Sequence, residues 1–162
     1  MQQFEGTILA GDSFGPVRGR VVVDDGQITA VEETATDSTD IVLPAFVNAH
    51  THIGDSVAKE AGVGLSLDEA VAPPDSEKHR RLAAARRDEL IAAMRRTLRF
   101  MADTGTAAHL DFRESGEAGT EALRTAASET ATDAVIFGSG PASVLELADG
   151  YGASGANDDE FT

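Results

Sequence analysis

The stretch LPAFVNAHTHIGD (Leu43–Asp55) carries two of the chain's four histidines, His50 and His52, just after an apolar run. Side chains alternate faces along a strand, so residues two apart project to the same side. If the strand runs on to Ile53, two imidazoles stand together at its carboxyl end. Ring nitrogens are ordinary ligands for Zn²⁺ and its neighbours. The chain has no cysteine, so a metal would have to be held by His, Asp or Glu, and thiolate and disulfide chemistry are excluded. A bare His-x-His also fits two turn histidines bonded to backbone. The apolar strand before it and the glycine-containing loop after it fit the metal reading better.

The elements that would position this pair can be read on either side. Val21–Val23 and Ile28–Val31 are β-branched runs joined by Asp25-Gly26, a hairpin signal. FEGTILAG (Phe4–Gly11) supplies a third strand, and residues 35–40 form a polar linker. Asp40–Asn48 is nearly continuously apolar and is expected to be one strand covered on both faces, as in a parallel sheet. A long loop follows from Gly54 to Pro74, of a length typical of binding loops and lids. Residues 76–103 are expected to be helical, capped by Asp75 or Ser76 after Pro73-Pro74, with a second start at Asp88. Leu90, Ile91, Met94, Leu98 and Met101 recur at helical spacing and make one apolar face. Thr106–Glu114 is a second core strand, Ala118–Thr130 a helix, Asp133–Gly140 a third strand and ASVLELA a short helix. DGYGASG is a fourth strand or a loop. Strands alternating with helices predict a parallel sheet. The fold class is therefore α/β, with a small antiparallel β-segment (residues 1–40) before the β/α units (residues 41–162).

Composition narrows the partners. Acidic residues number 28 and basic residues 13, for a formal charge of −15. Such a surface repels nucleic acid and anionic membranes. The acids are spread along the chain, and the only lysines are Lys59 and Lys78, a balance resembling that of proteins from salt-loving organisms. The first residues lack the basic-then-apolar pattern of a signal peptide, and no apolar run approaches membrane-spanning length. A cytoplasmic, soluble protein is expected.

LPAFVNAHTHIGDS resembles the first barrel strand of the amidohydrolase superfamily, the metal-dependent hydrolases and deaminases. The family pattern is an apolar strand, then Pro-(Gly/Ala)-Phe-(Val/Ile)-(Asn/Asp)-x-His-x-His, matched from Leu43 to His52. GRVVVDDGQITAVEE resembles the family's amino-terminal β-segment, and GTAAHLDFRE its second barrel strand. The resemblance implies a (β/α)₈ TIM barrel in which a divalent metal, zinc or else iron or manganese, activates water for attack on a non-peptide C–N bond or an aromatic carbon. It implies a small-molecule substrate, in the manner of a deaminase or chlorohydrolase. His50 and His52 are the metal ligands it carries onto this chain.

The family completes its site with histidines on the fifth and sixth strands and an aspartate on the eighth. A full barrel takes about 250 residues. This chain thus reads as the amino-terminal portion of such an enzyme, incomplete and inactive alone. The alternatives are a non-catalytic, acidic metal-binding remnant, a subunit completed by a partner chain, or an unrelated α/β binding domain whose His-x-His is accidental; the protein partner expected is a complementing chain or, in a homo-oligomer, a second copy. Should DGYGASG be the fourth strand, the carboxylated lysine of binuclear members is absent, which favours a mononuclear site.

Other residues take lesser roles. Asp111, Arg113 and Glu114 end the second strand. Asp111 and Arg113 are candidate substrate contacts, Arg113 as a grip for a carboxylate or carbonyl; an Asp111–Arg113 ion pair holding the strand end is the structural alternative. Asp55 either orients a histidine ligand or caps a loop. His79 reads as a surface residue and His109 as a core one.

Overall fold

The computed structural model describes residues 1–72 and 75–153. The chain divides into two compact units, Met1–Ala45 and a second beginning at Phe46. Pro73-Pro74, and the part of DGYGASG beyond Ala153, lie outside the described residues.

The first unit is a four-stranded sheet. Strands β1 (Gln2–Ala10), β2 (Gly15–Asp24) and β3 (Gln27–Glu33) form an antiparallel meander, and β4 (Ile41–Val42) pairs in parallel with β1. The order is β3-β2-β1-β4. Asp25 and Gly26 form the two-residue turn between β2 and β3, both with positive φ (49° and 74°). This is the left-handed geometry that two-residue hairpins require and that an Asp-Gly pair tolerates. Ile8, Val21 and Val22 are the buried apolar residues of the sheet.

The run Asp40–Asn48, expected to be one strand, is two. Ile41–Val42 completes the first sheet, and a new strand, β5 (Phe46–Thr51), opens the second unit. Pro44 lies between them. It has no N–H to donate to a ladder, which makes it a natural break. Nor is β5 covered on both faces: it stands at the sheet edge, with Phe46 and Val47 58% and 70% exposed.

The second unit is a parallel sheet in chain order, β5-β6-β7-β8, with β6 at Thr106–Arg113, β7 at Asp133–Gly138 and β8 at Gly150–Tyr151. Between β5 and β6 come a 3₁₀ turn (Ile53–Ala58) and three helices, α1 (Leu67–Val71), α2 (Glu77–Ala84) and α3 (Arg87–Asp103). Helix α4 (Gly116–Ala127) joins β6 to β7, and a 3₁₀ turn at Ala142–Glu146 stands where a short helix was expected.

The predicted helix over 76–103 is broken at Ala85-Arg86, both extended. Glu89 accepts the backbone N–H of Arg86 at 3.0 Å, and Asp88 and Glu89 bring negative charge to the new amino terminus. Ser76 caps α2 through the N–H of His79. The core joins Met94 and Leu98 of α3, Leu123 and Ala126 of α4, Ile136 of β7 and Ile53, with Leu90, Ile91 and Met101 packed at its margin. The apolar face read from the α3 sequence is the face that is buried.

Candidate metal centre

Alternation along β5 sends Thr51 one way and the two histidines the other. The Thr51 side chain is buried, and its Oγ1 donates to the Leu110 carbonyl and the Asp111 carboxylate. His50 and His52 converge on the other side, their Nε2 atoms 3.3 Å apart. Strand β5 ends at Thr51, and His52 begins the 3₁₀ turn. The pair thus sits at the carboxyl end of a parallel strand, where α/β sheets gather their sites.

Phe112 of β6 backs both rings, its centroid 4.8 Å from that of His50 and 6.1 Å from that of His52. Phe137 of β7 meets Phe112 edge-on at 5.7 Å. The histidines open into a cavity of about 350 Å³, bordered by Phe112, Arg113, Glu114, Ser139, Gly152 and Ala153.

A charged clasp lies beside the pair. Glu114 Oε1 is 3.6 Å from Nδ1 of His52 and 2.7 Å from Nζ of Lys78, which also reaches Asp55 Oδ2 at 3.0 Å. Arg113 Nη2 donates to Glu114 Oε2 at 2.7 Å. Burial pushes the Glu114 carboxyl upward, but the Lys78 hydrogen bond and the charges of Arg113 and Lys78 outweigh it and leave the group below the usual carboxylate range. Burial lowers the Lys78 ammonium, and hydrogen bonds to Glu114 and Asp55 more than restore it, leaving it above the ordinary lysine value. Asp55 therefore reaches the site through Lys78, while Glu114 is the carboxylate beside a histidine.

Asp111 and Arg113, the candidate substrate contacts, have different surroundings. Asp111 is fully buried; its Oδ2 accepts the Ile53 N–H and the Thr51 hydroxyl, and it does not border the cavity of the histidine pair. Burial pushes its carboxyl up from 3.8 to about 6, against the opposing pull of the Ile53 N–H and the Arg113 charge. Arg113 borders the cavity but is itself 4% exposed, and its ion-pair partner is Glu114 rather than Asp111. Its guanidinium lies over Gly54, where a Cβ would collide with Nη1; any larger residue there requires the guanidinium to shift. His79 bonds Ser76 Oγ through Nδ1 at 2.7 Å. His109 is 1% exposed in the core, and its burial lowers its pKa.

The pair fits a metal in one measurable respect. Two nitrogens at Zn–N distances of 2.0–2.1 Å in a tetrahedral site lie roughly 3.3 Å from each other, which is the spacing of the two Nε2 atoms. No group of three or more potential His, Asp or Glu ligands occurs among the described residues. No helix among them is long and apolar enough to cross a membrane.

No family model matches the chain. Curated proteins do. It is 35% identical to a provisionally named aminohydrolase of Methanothermobacter thermautotrophicus, over 93% of this chain and 45% of that protein. A like-named protein of Archaeoglobus fulgidus is 32% identical over 99% of this chain and 46% of its own length. An adenine deaminase of Methanosarcina mazei is 35% identical over 57 residues, 35% of this chain and 10% of its own. Among solved structures, a guanine deaminase from C. acetobutylicum superposes with a TM-score of 0.55 at 16% identity, over 86% of this chain and 36% of that one; this shows a shared fold. The chain spans about half the length of the curated aminohydrolases it matches. It is a relative of proteins named aminohydrolase and adenine deaminase, as its His-x-His strand implied.

Proposed function

We propose that this chain carries the opening part of the active site of a metal-dependent hydrolase acting on non-peptide C–N bonds, with His50 and His52 as two of the metal ligands. The observation that carries this reading is the 3.3 Å approach of their Nε2 atoms at the end of a parallel strand. Strands β5 to β8 are then the first four strands of a (β/α)₈ barrel, and Met1–Ala45 is the β-rich segment before it. The name of the adenine deaminase it resembles over part of its length favours an amino-substituted purine as substrate.

Held by His50 and His52, a divalent cation would supply Lewis acidity that activates water as the nucleophile. The chain's own groups prepare for it. The two imidazoles turn their Nε2 atoms toward one point, Phe112 walls the rings from one side, and Lys78 and Arg113 hold Glu114 next to His52. A catalytic zinc site takes three protein ligands; among the described residues no group of three meets, so weak zinc binding is expected of the pair. Calorimetric titration with Zn²⁺ tests the reading. Weak one-site binding, abolished in His50→Ala, supports it; binding that His50→Ala leaves unchanged overturns it.

One observation favours a second reading, that of a subunit completed by another chain. The outer edge of β5 carries the exposed Phe46 and Val47, as a strand does where a sheet is meant to continue.

A further inference from the structure

We infer that Glu114 is a positioning residue for His52: its carboxylate selects the tautomer that carries hydrogen on Nδ1 and leaves Nε2 free for a metal. The inference rests on the metal reading above and deepens it. Nε2 of His52 faces Nε2 of His50 at 3.3 Å, while Nδ1 faces Glu114 Oε1 at 3.6 Å. That second distance is longer than a hydrogen bond and short enough for the carboxylate charge to act on the ring. The two nitrogens of one ring therefore face different neighbours. A carboxylate favours N–H on the side it faces, and an imidazole with hydrogen on Nδ1 presents a lone pair on Nε2. Metal-bound histidines commonly take this support from a carboxylate.

The carboxylate is itself held in place. Lys78 donates to Oε1 at 2.7 Å, Arg113 donates to Oε2 at 2.7 Å, and Arg113 is locked between Glu114 and Gly54. Lys78 comes from α2, 36 residues before Glu114, and is bound at the same time to Asp55 in the turn after the histidines. The clasp thus joins three places in the chain around one ring. Its two cations both donate to the carboxylate and fix which way it points.

The chain's four histidines can be resolved by ring-nitrogen NMR of metal-free protein labelled with ¹⁵N-histidine. His52 should show hydrogen on Nδ1 in the parent chain. Glu114→Gln keeps an acceptor oxygen without the charge and should lose part of that preference; Glu114→Met should lose most of it. The His109 resonances should stay unchanged and so report an intact core. Zn²⁺ titration of the same proteins should show affinity falling by about 10- to 100-fold in Glu114→Met. An unchanged His52 tautomer in Glu114→Met overturns the inference, and if that variant does not fold, an unchanged tautomer in Glu114→Gln does so. Zn²⁺ affinity equal in the parent and in His50→Ala would instead count against the metal reading, while the tautomer still decides the role of Glu114.

Discussion

The Asp111 carboxylate accepts the backbone N–H of Ile53, the residue directly after His52. The same oxygen accepts the Thr51 hydroxyl at 3.0 Å. Asp111 thus grips the strand end on both sides of His52 from behind, while Phe112, the next residue of β6, packs against the histidine rings from the front. One strand holds the pair by both faces.

This grip has a pH signature. Asp111 is pushed from 3.8 to about 6 by burial, so between those values the folded chain holds a proton that the unfolded chain has lost. Stability contributed by protonated Asp111 is therefore present below pH 4 and lost as pH rises through 6, a difference of roughly 3 kcal/mol. Asp111→Asn keeps an acceptor oxygen and does not titrate. Glu114 and Asp149, held below their usual range, bring the opposite slope at lower pH, so the comparison must be between parent and variant. Urea unfolding at pH 4, 5, 6 and 7 should show the stability of Asp111→Asn, relative to the parent, rising with pH. A constant difference would contradict the assignment.

Gly54 and Arg113 should behave as one unit. An alanine Cβ would collide with Arg113 Nη1, so the guanidinium, tied to Glu114, would have to shift. Gly54→Ala should cost about 1–3 kcal/mol, as overpacking does. Contacting residues couple, so the cost of Gly54→Ala should shrink by more than about 0.5 kcal/mol in an Arg113→Ala background. Additive losses in denaturant unfolding would show that the contact is not made.

The outer edge of β5 should drive self-association. Phe46 and Val47 are the exposed large apolar residues of an unpaired parallel edge, and a charge on such an edge blocks pairing. Light scattering should find the parent chain associated or aggregating, and Val47→Lys markedly less so. Equal monodispersity of the two would argue against an open edge in solution.

Much of this arrangement is legible in the residues. Asp25-Gly26 announces its hairpin, because few pairs accept positive φ twice in succession. The His50–His52 pairing follows from alternation alone. The apolar spacing of α3 names the residues that reach the core. The phase of β6 is harder. Its alternation groups His109, Asp111 and Arg113 correctly, but apolar residues occur on both faces of a parallel strand, so spacing cannot say which face meets the histidines. It is the other one, with Phe112. Glu114 as the neighbour of His52 is not readable from the sequence, because its place depends on Lys78 from a helix distant in sequence and on a turn just past the strand. Pro44, with no N–H to offer a ladder, marks in the sequence the point at which Asp40–Asn48 divides.

The central claim is that His50 and His52 bind one metal ion together. X-ray absorption at the zinc edge of the Zn²⁺-loaded chain tests it most directly. The expected shell has two imidazole nitrogens at about 2.0–2.1 Å, completed by oxygen ligands, with one imidazole lost in each of His50→Ala and His52→Ala. A shell with one imidazole or none in the parent chain, or one that neither substitution alters, would contradict it.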